Sequence, residues 1–306
     1  MSAARFPAVG LHQGHYESYY LRAADPAGGR SAWIRHTVFK RPGGPPTGAL
    51  WCTLFEAGKE PRAVKQSLRD PQPDEWLRIA DSHFGPGGAG GRAEALGNSA
   101  SWDLTFGPAS EPLRHLPHPR LYDAPLPRTK TESPLPDTTI SGTVGDWELD
   151  AWPGVIGHNW GAEHAERWIW LHGVGFDGAP DAWLDVAFGR VKLGPLTTPW
   201  IANGALHLDG ERRRVGGLGK RARVHESPAG GRIQVSGLSI QVRATPLVSW
   251  IYSDPSGGEH HSTNCSIAAL EVTVDGRTLR TEHGGAWELG TREAPPGVEV
   301  QPYPDP

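Results

Sequence analysis

The chain has 306 residues and a formal charge of -4, from 30 basic and 34 acidic residues. It contains no block of about five or six like charges. This length allows one large domain or two of roughly 150 residues. The charge balance argues against a nucleic-acid partner. Because no stretch approaches the roughly 18 apolar residues of a membrane span, and the amino terminus lacks a signal-peptide pattern, we expect a cytoplasmic protein without a transmembrane segment.

The first hundred residues alternate short aromatic and β-branched runs with glycine-rich and proline-rich turns. The first three runs are YESYYLRA, SAWIRHTVF and GALWCTLFE, and similar runs continue to Gly107. No long window shows a convincing helical period. The pattern predicts an all-β protein built from consecutive antiparallel strands.

Residues 107–136 contain eight prolines and almost no alternation. Proline cannot donate a backbone hydrogen bond, so this segment is predicted to be a strap that crosses outside the sheets. Strand-like runs return afterwards, giving each half about eight strands, the number that closes a small barrel. We predict two β-barrel domains side by side, at 1–160 and 161–306. Two cysteines, Cys52 and Cys265, are predicted to be buried thiols.

The segment 146–170, DWELDAWPGVIGHNWGAEHAERWIW, surrounds polar side chains with tryptophans, and seven of the 13 tryptophans fall between Trp147 and Trp200. Groups that can transfer a proton, set among large apolar rings, are typical of a site where a hydrophobic substrate meets an acid or a base. Gly157 and Gly161 bracket what we predict to be a tight loop, in which the amide of Asn159 fixes the backbone.

Two pairs of segments carry a family resemblance: ESYYLRAADP with WIRHTVFK, and GHNWG with WIWLHG. They resemble the double-calycin superfamily, which includes carotenoid 1,2-hydratases, AttH-like proteins, tocopherol cyclase and certain fungal Diels-Alderases. The resemblance implies two lipocalin-like domains with a hydrophobic pocket near their junction. It also implies protonation, hydration, cyclisation or pericyclic closure of an isoprenoid or polyene substrate without a metal or organic cofactor.

Residue by residue, His158 and Trp160 match the His-x-Trp-Gly motif proposed as catalytic in the hydratases. Trp183 and Asp185 match a tyrosine and aspartate pair on a following strand, with tryptophan in place of tyrosine. If Asp185 faces a dry pocket, burial raises its pKa and keeps a proton available near neutral pH. An aspartate on a strand can equally lie on the wet face of a sheet.

We therefore expect His158, Asp185 and Glu163 as candidate catalytic residues. The substrate-binding candidates are Trp160, Trp168, Trp170, His172, Trp183, His164 and Arg167. The alternation of Trp168, Trp170 and His172 fits a pocket wall or plain packing. Glu163 and Arg167 can also simply pair at the surface. The spacing of the histidines does not match a compact zinc motif, so we expect no metal.

These patterns predict a cofactor-independent hydratase, cyclase or isomerase acting on a hydrophobic isoprenoid-like or polyketide-like substrate. The alternative is a carrier that binds a lipid without changing it, because one fold can serve both purposes. In either case membrane contact would be transient, and the oligomeric state stays open. An ionisable side chain in the pocket would favour the enzyme. We expect His158→Ala to leave folding nearly intact while lowering turnover or ligand affinity.

Overall fold

Almost all regular structure is antiparallel β-strand, as predicted. The computed structural model describes residues 3–217 and 219–303, apart from the side chain of Leu193. Its helical elements are two 3-10 turns, Phe6–Ala8 and Pro119–Tyr122. Among the described residues, no helix has the length and apolar character needed to cross a membrane.

The first sheet contains twelve strands. They are β1 (His15–Asp25), β2 (Arg30–Lys40), β3 (Pro46–Glu56), β4 (Arg62–Arg69), β5 (Gln72–Pro73), β6 (Leu77–Ile79), β7 (Ser82–Gly85), β8 (Gly88–Ala95), β9 (Asn98–Phe106), β10 (Leu113–Arg114), β11 (Thr129–Val144) and β12 (Trp147–Gly161). Their order is β4-β3-β2-β1-β12-β11-β9-β8-β7-β6-β5, with β10 on β11. The sheet curls so that β3 and β4 lie against β8.

The second sheet contains ten strands, and a separate hairpin adds two. They are β13 (Arg167–Gly173), β14 (Trp183–Arg190), the hairpin β15 (Lys192–Leu193) and β16 (Leu196–Thr197), β17 (Ile201–Leu208), β18 (Glu211–Gly216), β19 (Arg223–Ser227), β20 (Gly230–Val235), β21 (Leu238–Arg243), β22 (Val248–Ser253), β23 (Glu259–Val274) and β24 (Arg277–Thr291). The sheet order is β18-β17-β14-β13-β24-β23-β21-β20-β19, with β22 on β23.

Two curled antiparallel half-barrels confirm the predicted lipocalin-like fold class. The predicted number of about eight strands in each half is too low, partly because the run 75–84 is split into β6 and β7 by a turn. The first sheet ends at Gly161 and the second begins at Arg167. The predicted division at 160/161 itself stays a prediction.

The strap prediction is correct only for its first part. Residues 107–128 contain little regular structure, but β11 already begins at Thr129 and includes Pro134 and Pro136. The pairing of β11 with β12 shifts register between Glu132 and Leu135 and again between Leu135 and Thr138. The two prolines lie at these irregularities, where a missing N–H breaks no regular ladder.

The predicted GHNWG loop is wrong, because these residues form the end of β12. The glycines are explained by crowding rather than by a turn. A Cβ on Gly157 would lie 2.0 Å from Cζ of Tyr20, and one on Gly161 would lie 1.9 Å from the carbonyl oxygen of Arg128. Glycine allows neighbouring groups to cross closely over the strand at both positions.

The strands where the two sheets face each other are buried on both faces. In β1 ten consecutive residues are buried, and β14 begins with four. By contrast β21, farther from the junction, alternates strictly between buried and exposed residues. Burial on both faces requires cover on both sides, which here comes from the half-barrel interior and from the opposite domain. Polar side chains on the junction-facing side are consequently enclosed.

Candidate active site

A cavity of about 420 Å³ lies between the two sheets, and the strap forms part of its wall. Trp33 on β2, Trp168 and Trp170 on β13 and Phe188 on β14 provide large apolar surfaces. Only a few ionisable side chains reach its lining. This combination of apolar walls and a few polar groups is typical of a site for a small hydrophobic molecule.

Asp185 on β14 is fully buried behind this wall and is the centre of a hydrogen-bonded cluster. Its Oδ1 accepts from Nε1 of Trp170 at 3.1 Å, and its Oδ2 accepts from Oγ of Ser133 at 2.5 Å. Nε2 of His115, a strap residue that lines the cavity, lies 3.4 Å from the same Oδ2. The other ring nitrogen of His115 lies 3.0 Å from the carbonyl oxygen of Asn203, so Nδ1 donates there.

The expected rise in the pKa of Asp185 is wrong. Burial acts to raise it, but the charge and hydrogen bond of His115, with help from Ser133, lower it to about 2. For His115 burial acts to lower the pKa, but the charge and hydrogen bond of Asp185 raise it above its ordinary value. The proton therefore resides on the histidine, and Asp185 is an anion that keeps it there.

A second histidine lines the same cavity. His164 stacks on Tyr16 with ring centroids 3.9 Å apart, and its Nδ1 lies 2.8 Å from Oδ1 of Asp254. Asp254 also accepts from the backbone N–H of His164 at 2.9 Å. Burial lowers the pKa of His164 despite the opposing hydrogen bond and charge of Asp254. The neutral ring donates from Nδ1, which leaves Nε2 as its acceptor.

Asp254 joins His164 to a third histidine. Its Oδ2 lies 2.9 Å from Nε2 of His260, a fully buried residue on β23. The donor atoms of His164, Asp254 and His260 lie within 4.8 Å of one another, a spacing that could hold a metal ion. In this structure the carboxylate hydrogen bonds to both rings, forming a His-Asp-His relay. Among the described residues, His158, His164 and His172 do not form a group of this kind with one another.

His158 lies inside the first half-barrel, away from the cavity lining. It is fully buried, stacks on Tyr19 at 4.1 Å and on Trp160 at 4.4 Å, and its Nε2 lies 2.8 Å from Oε1 of Glu17. Glu17 also accepts the backbone N–H groups of Arg5 and Phe6. Burial acts to raise the pKa of Glu17, but these bonds and those of its histidine neighbours lower it to about 2. This arrangement ties the amino-terminal segment to the sheet.

Two further candidates are buried at the junction but do not line the cavity. His172 accepts at Nδ1 from the Arg22 guanidinium at 2.8 Å, and burial lowers its pKa to about 3. Trp183 packs in a small cluster and stacks on His207 at 5.7 Å. Trp168 and Trp170 line the cavity. Their role in substrate binding stays a prediction.

The remaining predicted residues divide between the surface and the cavity. Glu163 pairs with Arg128 at 2.5 Å and Arg167 pairs with Glu226 at 2.9 Å, so the surface pair considered between Glu163 and Arg167 is not formed. Neither Glu163 nor Arg167 lines the cavity. Asn159 does, through its position on β12. Both cysteines are free and buried, as predicted.

Sequence reasoning missed His115, Ser133, Asp254 and the cavity residue Arg35. His115 and Ser133 lie in the proline-rich stretch that was interpreted only as a strap, and no motif links either to Asp185. Arg35 lies on β2, where strict alternation does not distinguish a junction-facing cation from a surface one. For Asp254 the sequence did contain a signal: it stands in a turn-like stretch a few residues before His260 and His261, where a carboxylate can contact a histidine.

The two curled antiparallel half-barrels, with a cavity between them, form a two-domain lipocalin-like fold. A crystal structure assigned as AttH (NE1406) from Nitrosomonas europaea matches with a TM-score of 0.57 and 15% identity, over 96% of this chain and 98% of its own. Kievitone hydratase from Nectria haematococca matches with a TM-score of 0.54 and 8% identity, over 92% and 90%. At these identities the matches establish the fold.

The sequence has relatives of similar length. Two Mycobacterium tuberculosis proteins described as uncharacterized, Rv0493c of strain H37Rv and MT0513 of strain CDC 1551, are each 27% identical over 299 residues. The alignment covers 91% of this chain and 87% of theirs. No protein-family model matches the chain. The two solved structures confirm, at the level of the fold, the resemblance found in the sequence.

Proposed function

We propose that this protein is a hydratase-type lyase that adds water to, or removes it from, a hydrophobic molecule bound between the two sheets. The observation that carries the proposal is that His115 and His164 line one apolar cavity. His115 contacts the buried Asp185, and His164 contacts the buried Asp254. The substrate is isoprenoid-like or polyketide-like in character, because the walls are mostly aromatic and aliphatic.

His115 is the proposed acid. Asp185 holds the imidazolium form, and Ser133 hydrogen bonds to Asp185 beside it. Protonation of an alkene creates a cation, which the faces of flanking aromatic rings such as Trp168 and Trp170 can stabilise. Delivery of the Nδ1 proton requires its bond to the Asn203 carbonyl to open, a rearrangement that substrate binding must supply.

His164 is the proposed base. Because Asp254 fixes its Nδ1–H, Nε2 is the nitrogen that can accept a proton from the added water. The raised pKa of His115 and the lowered pKa of His164 give one group that holds a proton and one that can take it at the same pH. Such opposed pKa values are a recurring mark of acid and base assignments.

The name of one structural neighbour adds support, since kievitone hydratase is described as a hydratase. Because the sequence identity is only 8%, the name supports a type of reaction and does not indicate the substrate. The proposed reaction draws its protons from side chains of this chain.

The test is incubation of the protein with a lipid extract of its host in D₂O, followed by mass spectrometry of bound and released molecules. If it adds water, wild type should form a product that carries deuterium on carbon, because an exchanged His115 transfers it. If it removes water, the product should be lighter than the bound lipid by one water molecule. His115→Gln should retain the bound lipid but lower product formation by about 10²- to 10⁴-fold. His118→Gln is the matched control, because His118 is exposed on the same strap.

The second candidate is the carrier, which the apolar walls also favour. It predicts a bound lipid that is recovered chemically unchanged and without deuterium. If wild type and His115→Gln bind the same lipid and neither yields a product, the hydratase proposal fails and the carrier stands. Equal product formation by the two proteins would remove His115 from the mechanism.

A further inference from the structure

Arg35 places a positive charge at the wall of the cavity. It lies on β2, is 5% exposed, and belongs to the cavity lining. Its guanidinium carbon lies 5.1 Å from the ring centroid of Trp33 and 5.4 Å from that of Trp51. These rings stabilise the cation and exclude water from its faces, but they do not neutralise its charge.

No described carboxylate oxygen lies within 4.0 Å of the Arg35 nitrogens, so Arg35 has no ion-pair partner in the described part of the chain. Among the described residues its side chain makes two hydrogen bonds: Nε donates to Oγ of Ser18 at 3.0 Å, and Nη1 donates to the hydroxyl of Tyr252. A guanidinium has five N–H donors, so three have no acceptor in the described part of the chain. A buried, unpaired cation is costly unless an anion compensates it.

Asn159 provides a second unsatisfied group at the same place. It lies directly across from Ser18 in the pairing of β1 with β12, and Ser18 is the residue that Arg35 contacts. The buried side-chain oxygen of Asn159 has no hydrogen-bond partner among the described residues, and the residue lines the cavity. The cavity wall next to Arg35 therefore offers open donors and one open acceptor to a polar head group, and a carboxylate would use the donors.

We propose that Arg35 binds the carboxylate head group of an amphipathic ligand whose apolar chain fills the cavity. The free ends of the guanidinium can form the two parallel hydrogen bonds that match a carboxylate. A neutral alcohol would leave the charge of Arg35 uncompensated. This inference rests on the proposed function for the location of the ligand, and it narrows the substrate to a hydrophobic acid.

Glu288 is a carboxylate in the same cavity, so it could in principle neutralise Arg35 in place of a ligand. It also lines the cavity, and its Oε1 accepts from Nε1 of Trp168 at 2.8 Å. It does not lie within ion-pair distance of Arg35, so its negative charge does not satisfy the guanidinium. Because like charges repel, Glu288 should weaken the binding of an acid. Glu288→Gln is therefore a matched control, since removing this charge should have the opposite effect to removing the charge of Arg35.

The experiment measures binding of dodecanoic acid, 1-dodecanol and dodecyl phosphate by quenching of tryptophan fluorescence. Wild type should bind the acid at least about tenfold more tightly than the alcohol, and no less tightly than the phosphate. Arg35→Gln should weaken acid binding by about 10- to 100-fold while changing alcohol binding by less than about threefold. Arg35→Lys should fall between, because it keeps the charge and loses the planar fork. Glu288→Gln should keep or strengthen acid binding.

The wild-type comparison of acid with alcohol remains decisive even if an Arg35 variant fails to fold. No preference for the acid, an equal loss for acid and alcohol in Arg35→Gln, or no binding of any probe would overturn the inference. Clearly tighter binding of the phosphate would overturn the choice of a carboxylate. This assay measures binding and the D₂O assay measures turnover, so the two proposals are tested separately. The protein can prefer the acid and still form no product, and it can form a product without preferring the acid.

Discussion

Replacement of Asp185 by asparagine tests whether the buried cluster is ionic. The fall in the pKa of Asp185 from 3.8 to about 2 means that the folded chain favours the carboxylate, and it corresponds to about 2 kcal/mol of folding free energy at neutral pH. Asp185→Asn removes this contribution, and the now unpaired His115 loses its proton because burial disfavours the cation. We expect the variant to be less stable by about 2 kcal/mol near pH 6.

The dependence on pH gives this prediction its specificity. Asp185 has a lowered folded pKa, so its contribution is present above pH 3.8 and is lost as the pH falls through about 2. His115 has a raised folded pKa, so its contribution is present below its unfolded value of 6.5 and is lost as the pH rises through the raised value. The difference between wild type and variant should therefore be widest between about pH 4 and 6.5 and should narrow above that range.

The assay is urea unfolding followed by tryptophan fluorescence at pH 5.5 and at pH 9. Asp103→Asn is the control, because Asp103 is an exposed aspartate on β9 and should show a difference of less than about 0.5 kcal/mol at both values. An equal loss of stability for Asp185→Asn at both pH values would refute the reasoning, since at high pH His115 is neutral and its charge no longer stabilises the Asp185 anion.

Three further outcomes follow from the geometry. The sequence-based expectation that His158→Ala folds nearly intact is replaced, because His158 is fully buried and hydrogen bonded to Glu17. The variant should lower stability by about 2 to 4 kcal/mol in thermal unfolding, because it leaves a space and an unpaired partner, and unchanged stability would contradict its buried role. Gly157→Ala should cost about 1 to 3 kcal/mol by overpacking, whereas Gly44→Ala, with its nearest neighbour 3.6 Å away, should cost less than about 1. The rate of product formation should fall as the pH rises through the raised pKa of His115 and as it falls through the lowered pKa of His164; a flat profile would exclude this pair.

Local patterns identified the strands well because a strand with one dry face must alternate, as β21 does. The same rule failed at the junction, where both faces are buried and polar residues stand at enclosed positions. It also failed for GHNWG, because two glycines separated by three residues usually indicate a turn. Here the glycines make room for the Tyr20 ring and for the strap backbone at Arg128, contacts that are distant in sequence.

The family motif identified Asp185 but could not give its protonation state. Burial alone would have raised its pKa, and the partner that reverses the sign, His115, is 70 residues away in a segment without periodicity. His158 shows the opposite case, since its motif position was recognised but its environment is the interior of the first half-barrel. The protonation state of a buried group depends on all elements packed against it, which a local pattern does not contain.

The choice between an enzyme and a carrier depends on why the charged clusters lie where they do. Stability does not require them, because well-packed apolar side chains of similar volume are often as stabilising as a buried ion pair. A carrier of a neutral lipid gains little from His115 with Asp185 and from His164 with Asp254 at its cavity wall. These groups do supply what hydration needs, an acid and a base that remain ready at one pH. The position of both pairs on one apolar cavity therefore favours chemistry over carriage.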